Sequence, residues 1–266
     1  MVIQSVHRAL KILTLFSTRT PRLGITEISQ MMNLHKATAQ GLVRTLTEEG
    51  FLKQDPETRK YQLGLSIYEL GVALASGLEI NQRAVDPAHQ LALETQLVVR
   101  ISILDRDSAI ITLDAYPRST PFLYPQLGLR FPLYCTAMGK ALLAFLEPDF
   151  IREYCEKTDF TPFTKHTVTQ KDLLLRELEE IRKTGYAINQ EEHLQARAAI
   201  GAPIFGRDGR IAASMSIVGE PLRILGDEME RLAHKVVGTA SQISQALGYF
   251  PRPRPELRQK KARMSN

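Results

Sequence analysis

Residues 33–64 read NLHKATAQGLVRTLTEEGFLKQDPETRKYQLG. Ala39, Leu42, Val43 and Leu46 stand at i, i+3, i+4 and i+7, the apolar stripe of a helix from about Lys36 to Glu49. Gly50 supplies the residue that closes a helix in the left-handed region. The opposite face carries Lys36, Thr38, Gln40, Arg44, Thr45 and Thr47. Two short strands follow at once, Phe51 to Asp55 and Arg59 to Leu63, joined by the turn residues Asp55-Pro56-Glu57-Thr58. A polar-faced helix therefore abuts a basic hairpin with no loop between them. Gly41 interrupts the helix at a cost of about 0.8–1.0 kcal/mol relative to Ala. Either it permits close approach of a neighbouring helix or of a bound backbone, or it is tolerated drift.

Reading toward the N-terminus, Val6, Ala9, Leu10, Leu13 and Phe16 form a helical stripe in residues 5–17, with Ser5 as a cap. Thr26 is placed to cap a second helix, Glu27 to Met32, whose Ile28, Met31 and Met32 face inward. Three helices and a hairpin within about sixty residues predict a winged helix-turn-helix over residues 1–64. A linker helix is expected over 65–80, with an apolar face available for dimerisation.

Residues 81–248 predict an α+β domain with a mainly antiparallel sheet. Asp86-Pro87 reads as a cap and first helical residue, opening a helix to about Gln96. Residues 97–104 and 109–116 form one strand pair, and 198–205 and 210–218 another, turning at Gly206 to Gly209. Thr136 caps a helix to Phe145, Thr169 caps one to Thr184 closed by Gly185, and a last helix spans about 226–247. The Pro- and Arg-rich residues 249–266 are too polar to pack and are expected to be a disordered basic tail.

The 266 residues suit two domains, and 44% hydrophobic with 24% charged content is ordinary for a globular protein. No apolar run approaches a membrane span, and the N-terminus lacks the features of a secretion signal, so a cytoplasmic location is expected. Two cysteines provide neither a disulfide framework nor a cysteine-rich metal site. The net charge of +5 is unevenly spread. Residues 1–64 hold nine Lys and Arg against five Asp and Glu, residues 65–248 hold 19 against 23, and residues 249–266 hold six against one. A basic small domain joined to an acidic larger one points to nucleic acid as the partner of the first.

A helix that enters the major groove needs short polar and basic side chains near its N-terminus. Lys36, Thr38, Gln40 and Arg44 supply these: Gln40 can read adenine and Arg44 guanine, while Thr38 and the first free amides of the helix suit a phosphate oxygen. Arg59 and Lys60 at the hairpin tip can reach an adjacent phosphate. With Thr26 these residues are the expected contacts to double-stranded DNA.

Four stretches carry a resemblance to a known family: SVHRALKILTLFS (5–17), the residues 34–64 quoted above, LGLRFPLYCTAMGKALLA (127–144) and GYAINQEEHLQARAAIGAPIFGRDGRIAASMSIVG (185–219). The chain resembles the IclR family of bacterial transcription regulators. The resemblance implies a winged-helix domain, a linker helix and a GAF-like effector domain. It also implies operator binding as a homodimer or dimer of dimers, and response to a small organic acid from catabolism. No cofactor, metal or membrane is implied. The family's usual Pro-Lys-Ser-Thr helix start stands here as His35-Lys36-Ala37-Thr38, and a common Arg one turn later is Gly41. By position, the implied effector pocket has Leu123 and Phe131 as walls, Ala137 and Met138 at a helix start, and Asn189, Ala199, Ser216 and Val218 opposite. Members that bind small keto acids have Asp, Cys and Ser at the positions of Asn189, Ala199 and Val218, so this pocket is less charged and suits an apolar or aromatic body. The amides after Thr136 could hold a carboxylate, and Arg130 could pair with an acid.

Enzyme chemistry fits poorly. His193 beside Glu191 and Glu192 is explained by a polar loop before a strand, and Cys135 has no His beside it in sequence. The competing function is a DNA-binding protein whose second domain serves only to assemble the oligomer.

Overall fold

The computed structural model describes residues 2–118 and 126–250. Leu123, and residues 251–266 of the basic tail, lie outside the described residues. The chain divides into two compact units, Met1–Gly77 and Leu78–Asn266.

The first unit is a winged helix-turn-helix. Its elements are α1 (Gln4–Leu13), α2 (Ile25–Met31), α3 (Lys36–Glu48), β1 (Leu52–Gln54), β2 (Tyr61–Leu63) and α4 (Leu65–Gly77). Ile12, Phe16, Leu23, Ile28, Val43, Leu46, Leu52 and Tyr61 form its core. The helix–hairpin junction is a Schellman ending. The Phe51 amide donates to the Leu46 carbonyl at 2.8 Å, and that of Gly50 to Thr47 at 3.1 Å. Gly50 has a φ of 75°, the left-handed conformation that glycine adopts without strain. Leu23 and Tyr61 exchange backbone hydrogen bonds of 3.0 and 2.8 Å, so the segment before α2 is bridged to the wing at one residue.

Four expectations for this unit are corrected. Val6 and Leu10 are exposed, and Ile12 is buried with Ala9, Leu13 and Phe16, so the inward stripe is rotated from the expected one. Thr26 is not the cap of α2. Gly24 holds that position and its amide donates to Glu27 Oε2 at 2.6 Å, which leaves Thr26 exposed in the first turn. Met31 is exposed as well. The hairpin strands are shorter than expected. The Asp55 carboxylate accepts the amides of Glu57 (3.0 Å) and Thr58 (2.9 Å), and Arg59 has a φ of 57°, so this segment is turn rather than strand.

The second unit contains α5 (Glu79–Thr95), β3 (Val98–Asp105), β4 (Ser108–Ala115), β5 (Arg130–Pro132), α6 (Ala137–Leu143), α7 (Pro148–Lys157), α8 (Lys171–Thr184), β6 (Ala187–Gln190), β7 (Ala198–Phe205), β8 (Ile211–Gly219), α9 (Pro221–Leu225) and α10 (Met229–Ala246). Six strands form one antiparallel sheet in the order β5-β4-β3-β8-β7-β6. Alternation along the strands divides its faces. Ile200, Ala202, Ile204, Ala213, Met215 and Ile217 face the core shared with α5 and α10. The intervening residues face α6, behind which Leu142, Ile151, Leu174 and Leu178 form a second core.

Asp86-Pro87 does not open α5, because the helix begins at Glu79 and runs through Pro87. Pro87 cannot donate a backbone bond, but Ile80, Ala84, Ala88 and Leu91 are all buried on one stripe, and that burial outweighs the lost bond. Thr169 does not cap α8, whose N-cap position is Gln170. Thr136 does cap α6, accepting the Gly139 amide at 3.1 Å. The last helix starts at Met229 rather than Gly226, after the separate short helix α9. Among the described residues, no helix is long and apolar enough to cross a membrane.

Candidate DNA surface and effector face

On α3, Ala39, Val43 and Leu46 are buried, which turns Lys36, Thr38, Gln40, Gly41 and Arg44 to solvent. The exposed face is not a set of idle side chains. Arg44 pairs with Glu48 at 2.8 Å. Gln40 donates to the Tyr61 hydroxyl at 3.4 Å, tying the helix to the wing. Lys60 lies 3.5 Å from Glu27, tying the wing to α2. The Gly24 amide and then Lys60 hold the Glu27 carboxyl below its ordinary range. Lys36, Thr38 and Arg59 make no side-chain bond among the described residues. A Cβ built on Gly41 meets no atom within 4 Å. Gly41 therefore does not serve close approach of α2, which removes one explanation for it.

In the second unit, α6 rests directly on the sheet. Gly201 allows this, since a Cβ there would lie 2.7 Å from the Ala137 carbonyl oxygen and 3.1 Å from the Met138 nitrogen. Ser214 Oγ donates to the Met138 carbonyl at 2.9 Å. Beside this contact, Asn189 pairs with Ala199 and Ala199 with Val218 across β6, β7 and β8. Gly201 pairs with Ser216, and Ser216 with Arg100. Ala137, Met138, Asn189, Ala199, Ser216 and Val218 thus share one neighbourhood of the α6-facing side. Ser216 is 1% exposed and its hydroxyl makes no hydrogen bond among the described residues.

Three residues stand differently from expectation. Asn189 is largely consumed by structure: Nδ2 donates to the Cys135 carbonyl at 3.1 Å and Oδ1 accepts the Glu192 amide at 2.9 Å. Phe131 meets the His193 ring at 5.4 Å and lines an open cleft of 640 Å³ together with Tyr134, Phe160 and Phe163. Arg130, on the rim of that cleft, pairs with Asp105. Sequence reasoning also passed over two buried charge systems. Arg100 pairs with Asp114 at 3.2 Å. Lys140, 2% exposed, contacts Glu177 and Glu192 at 2.7 Å each. Burial pushes the Glu192 carboxyl above its ordinary range against the pull of Lys140.

Comparison with known proteins decides the family. The model described as "Bacterial transcriptional regulator IclR C-terminal" matches residues 72–245, and that described as "IclR helix-turn-helix domain" matches 5–56. The chain belongs to the IclR family. It is 31% identical over 248 residues to the HTH-type transcriptional regulator XynR of Escherichia coli, covering 93% of this chain and 98% of XynR. The structure of an IclR-type regulator from Alicyclobacillus acidocaldarius superposes with a TM-score of 0.83 at 25% identity, covering 93% of this chain and all of that one (100%). An IclR homologue from Microbacterium hydrocarbonoxydans, solved with 4-hydroxybenzoate, shares the fold with a TM-score of 0.81 at 19% identity, covering 92% of this chain and 99% of that one. As an IclR protein the chain is a DNA-binding transcription regulator. Burial pushes the Cys135 thiol up to about 12, so it is protonated at neutral pH.

Proposed function

We propose that this IclR regulator represses a catabolic operon by binding a two-fold symmetric operator, and that a small organic acid bound to its C-terminal unit relieves repression. The observation that carries the DNA half is the exposed first two turns of α3 beside the wing, with Lys36, Thr38, Gln40 and Arg44 for the major groove and Arg59 and Lys60 for adjacent phosphate. Ser216, a buried hydroxyl with no partner among the described residues, supports a ligand on the α6-facing side of the sheet. Repression is the commoner mode in the family. The acting species is a homodimer or dimer of dimers: α4 buries none of its residues and exposes Leu65, Tyr68, Leu70 and Leu74, while α1 exposes Val6 and Leu10.

The test is fluorescence anisotropy with a palindromic fragment from upstream of the protein's own gene. Binding of two or four chains per fragment is expected, weakening steeply as salt rises. Lys36→Ala should flatten the dependence of log K on log salt by about 1 for each chain bound. No binding at low salt would sink the proposal.

Gly41→Arg should tighten binding severalfold or change the preferred sequence. The position is exposed and open, and arginine adds both helix propensity and a phosphate or guanine contact. Unchanged affinity and preference would show that Gly41 does not face the duplex.

A further inference from the structure

We infer that Arg100 is the anion anchor of the effector site, and that the site selects a monocarboxylate. The inference rests on the effector-sensing reading above and names the chemistry of that site. Gly201, Ser216, Arg100 and Asp114 form a ladder across β7, β8, β3 and β4, each directly opposite the next. Directly opposed residues project from the same face, with Cβ atoms about 4.5–5.5 Å apart. Arg100 and Ser216 are therefore neighbours on the side that carries α6.

Arg100 is fixed from one side only. Its Nε donates to Asp114 Oδ1 at 3.2 Å, and its side chain is 18% exposed. Asp114, 1% exposed, is held in turn by the Tyr116 hydroxyl at 3.0 Å and the Gln126 amide at 2.7 Å, both on Oδ2. The carboxylate is thus held at both oxygens, and it orients the guanidinium without satisfying it. The two terminal nitrogens of Arg100 carry four N–H donors and have no partner among the described residues. Neither nitrogen is fully buried, so both are open to a ligand group.

The planar pair of terminal nitrogens matches a carboxylate, and the unpartnered Ser216 hydroxyl stands ready for a second polar atom of the ligand. Asp114 already balances Arg100, and Lys140 is engaged by Glu177 and Glu192. A second carboxylate on the ligand would be repelled by Asp114.

Thermal shift and calorimetry on the full chain test this. The probes are pyruvate, phenylacetate and 4-hydroxybenzoate, each beside its uncharged amide, with succinate as the dicarboxylate. At least one monocarboxylate should raise the melting temperature of the wild type, while its amide and succinate do not. Arg100→Lys keeps a charge opposite Asp114 but removes the fork, and should lose at least tenfold in affinity with the melting temperature of the free protein retained. If that variant melts early, Arg100→Gln combined with Asp114→Asn removes both charges and serves the same comparison. Equal binding of the acid by wild type and variant, or of acid and amide by the wild type, overturns the anchor and leaves effector sensing intact. Binding of succinate as tightly as the monocarboxylate overturns the selectivity. A wild type that binds none of the acids overturns the sensing reading and the anchor with it.

Discussion

Lys140→Met is expected to lower the unfolding free energy of the C-terminal unit by about 3–5 kcal/mol at neutral pH. The ammonium of Lys140 is buried and lies 2.7 Å from the carboxylates of both Glu192 and Glu177. Glu177 is 40% exposed and can return to water, so its share is small. Glu192 cannot. Its side chain is 7% exposed, and Oε2 already lacks a partner. Removing the ammonium leaves that carboxylate buried without a cation, which is the expensive case.

The pH dependence identifies the cause. Burial already raises the Glu192 carboxyl above its ordinary value of 4.5. Loss of Lys140 raises it further, because the cation favours the charged form. Between the unfolded and folded values the folded state then holds more protons than the unfolded state, so stability falls as pH rises. The deficit of the variant should be smallest near pH 4.5, where Glu192 is protonated in the folded state, and should grow toward pH 7.5. Urea unfolding followed by circular dichroism at the two pH values measures it. A deficit that does not change with pH would assign the loss to packing and not to the ion pair. Adding Glu192→Gln should recover part of the loss at pH 7.5. The consequence reaches the proposed effector face, because the Glu192 amide donates to Asn189, which in turn holds the Cys135 carbonyl just before α6.

What could be read in the sequence and what could not follow from the range of the interactions. The stripe on α3 and its closure at Gly50 are local, and both stand in the structure as the sequence implied them. So is the Thr136 cap. Pro87 misled because a local rule for helix starts met a helix held by the burial of Ile80 and Ala84 against a distant sheet. In α1 the apolar residues extend around more than one face, so spacing alone could not select Ile12 over Val6 and Leu10. The effector face was the least legible part. Arg100 is the one charged residue in the stretch VVRISIL, which was a visible signal. Its meaning depends on Asp114 and Ser216, brought beside it by strand pairing. Glu192 and Lys140 likewise meet across 52 residues of chain, with no spacing rule to link them. Resemblance to a family assigned a pocket by position, but it could not foresee that Asn189 is spent on the Cys135 carbonyl.

The same substitution at two glycines of the DNA-binding unit should have opposite effects. At Gly64, an added Cβ would lie 2.0 Å from the Gly50 carbonyl oxygen, 2.8 Å from the Gly50 carbonyl carbon and 3.0 Å from that of Phe51. All three are backbone atoms, so no side chain can swing aside. Gly64 sits where three elements are fixed together. Its amide donates to Phe51 at 2.8 Å, the Gly50 carbonyl accepts from Ser66 at 3.4 Å, and Gly50 itself completes the ending of α3. Relief of the clash must therefore move the end of α3, the start of β1 or the start of α4. We expect Gly64→Ala to cost about 3 kcal/mol, the upper part of the usual range for overpacking. It should also weaken operator binding beyond what instability explains, because the angle between α3 and the wing shifts. Gly41→Ala is the control. Its Cβ meets nothing within 4 Å, and it replaces glycine in a helix interior, so it should stabilise by about 0.8–1.0 kcal/mol. Thermal unfolding of the two variants beside the wild type decides the matter. Equal melting temperatures for Gly64→Ala and the wild type would mean that the backbone of residues 50–51 yields at little cost, and that the junction does not set the position of the wing.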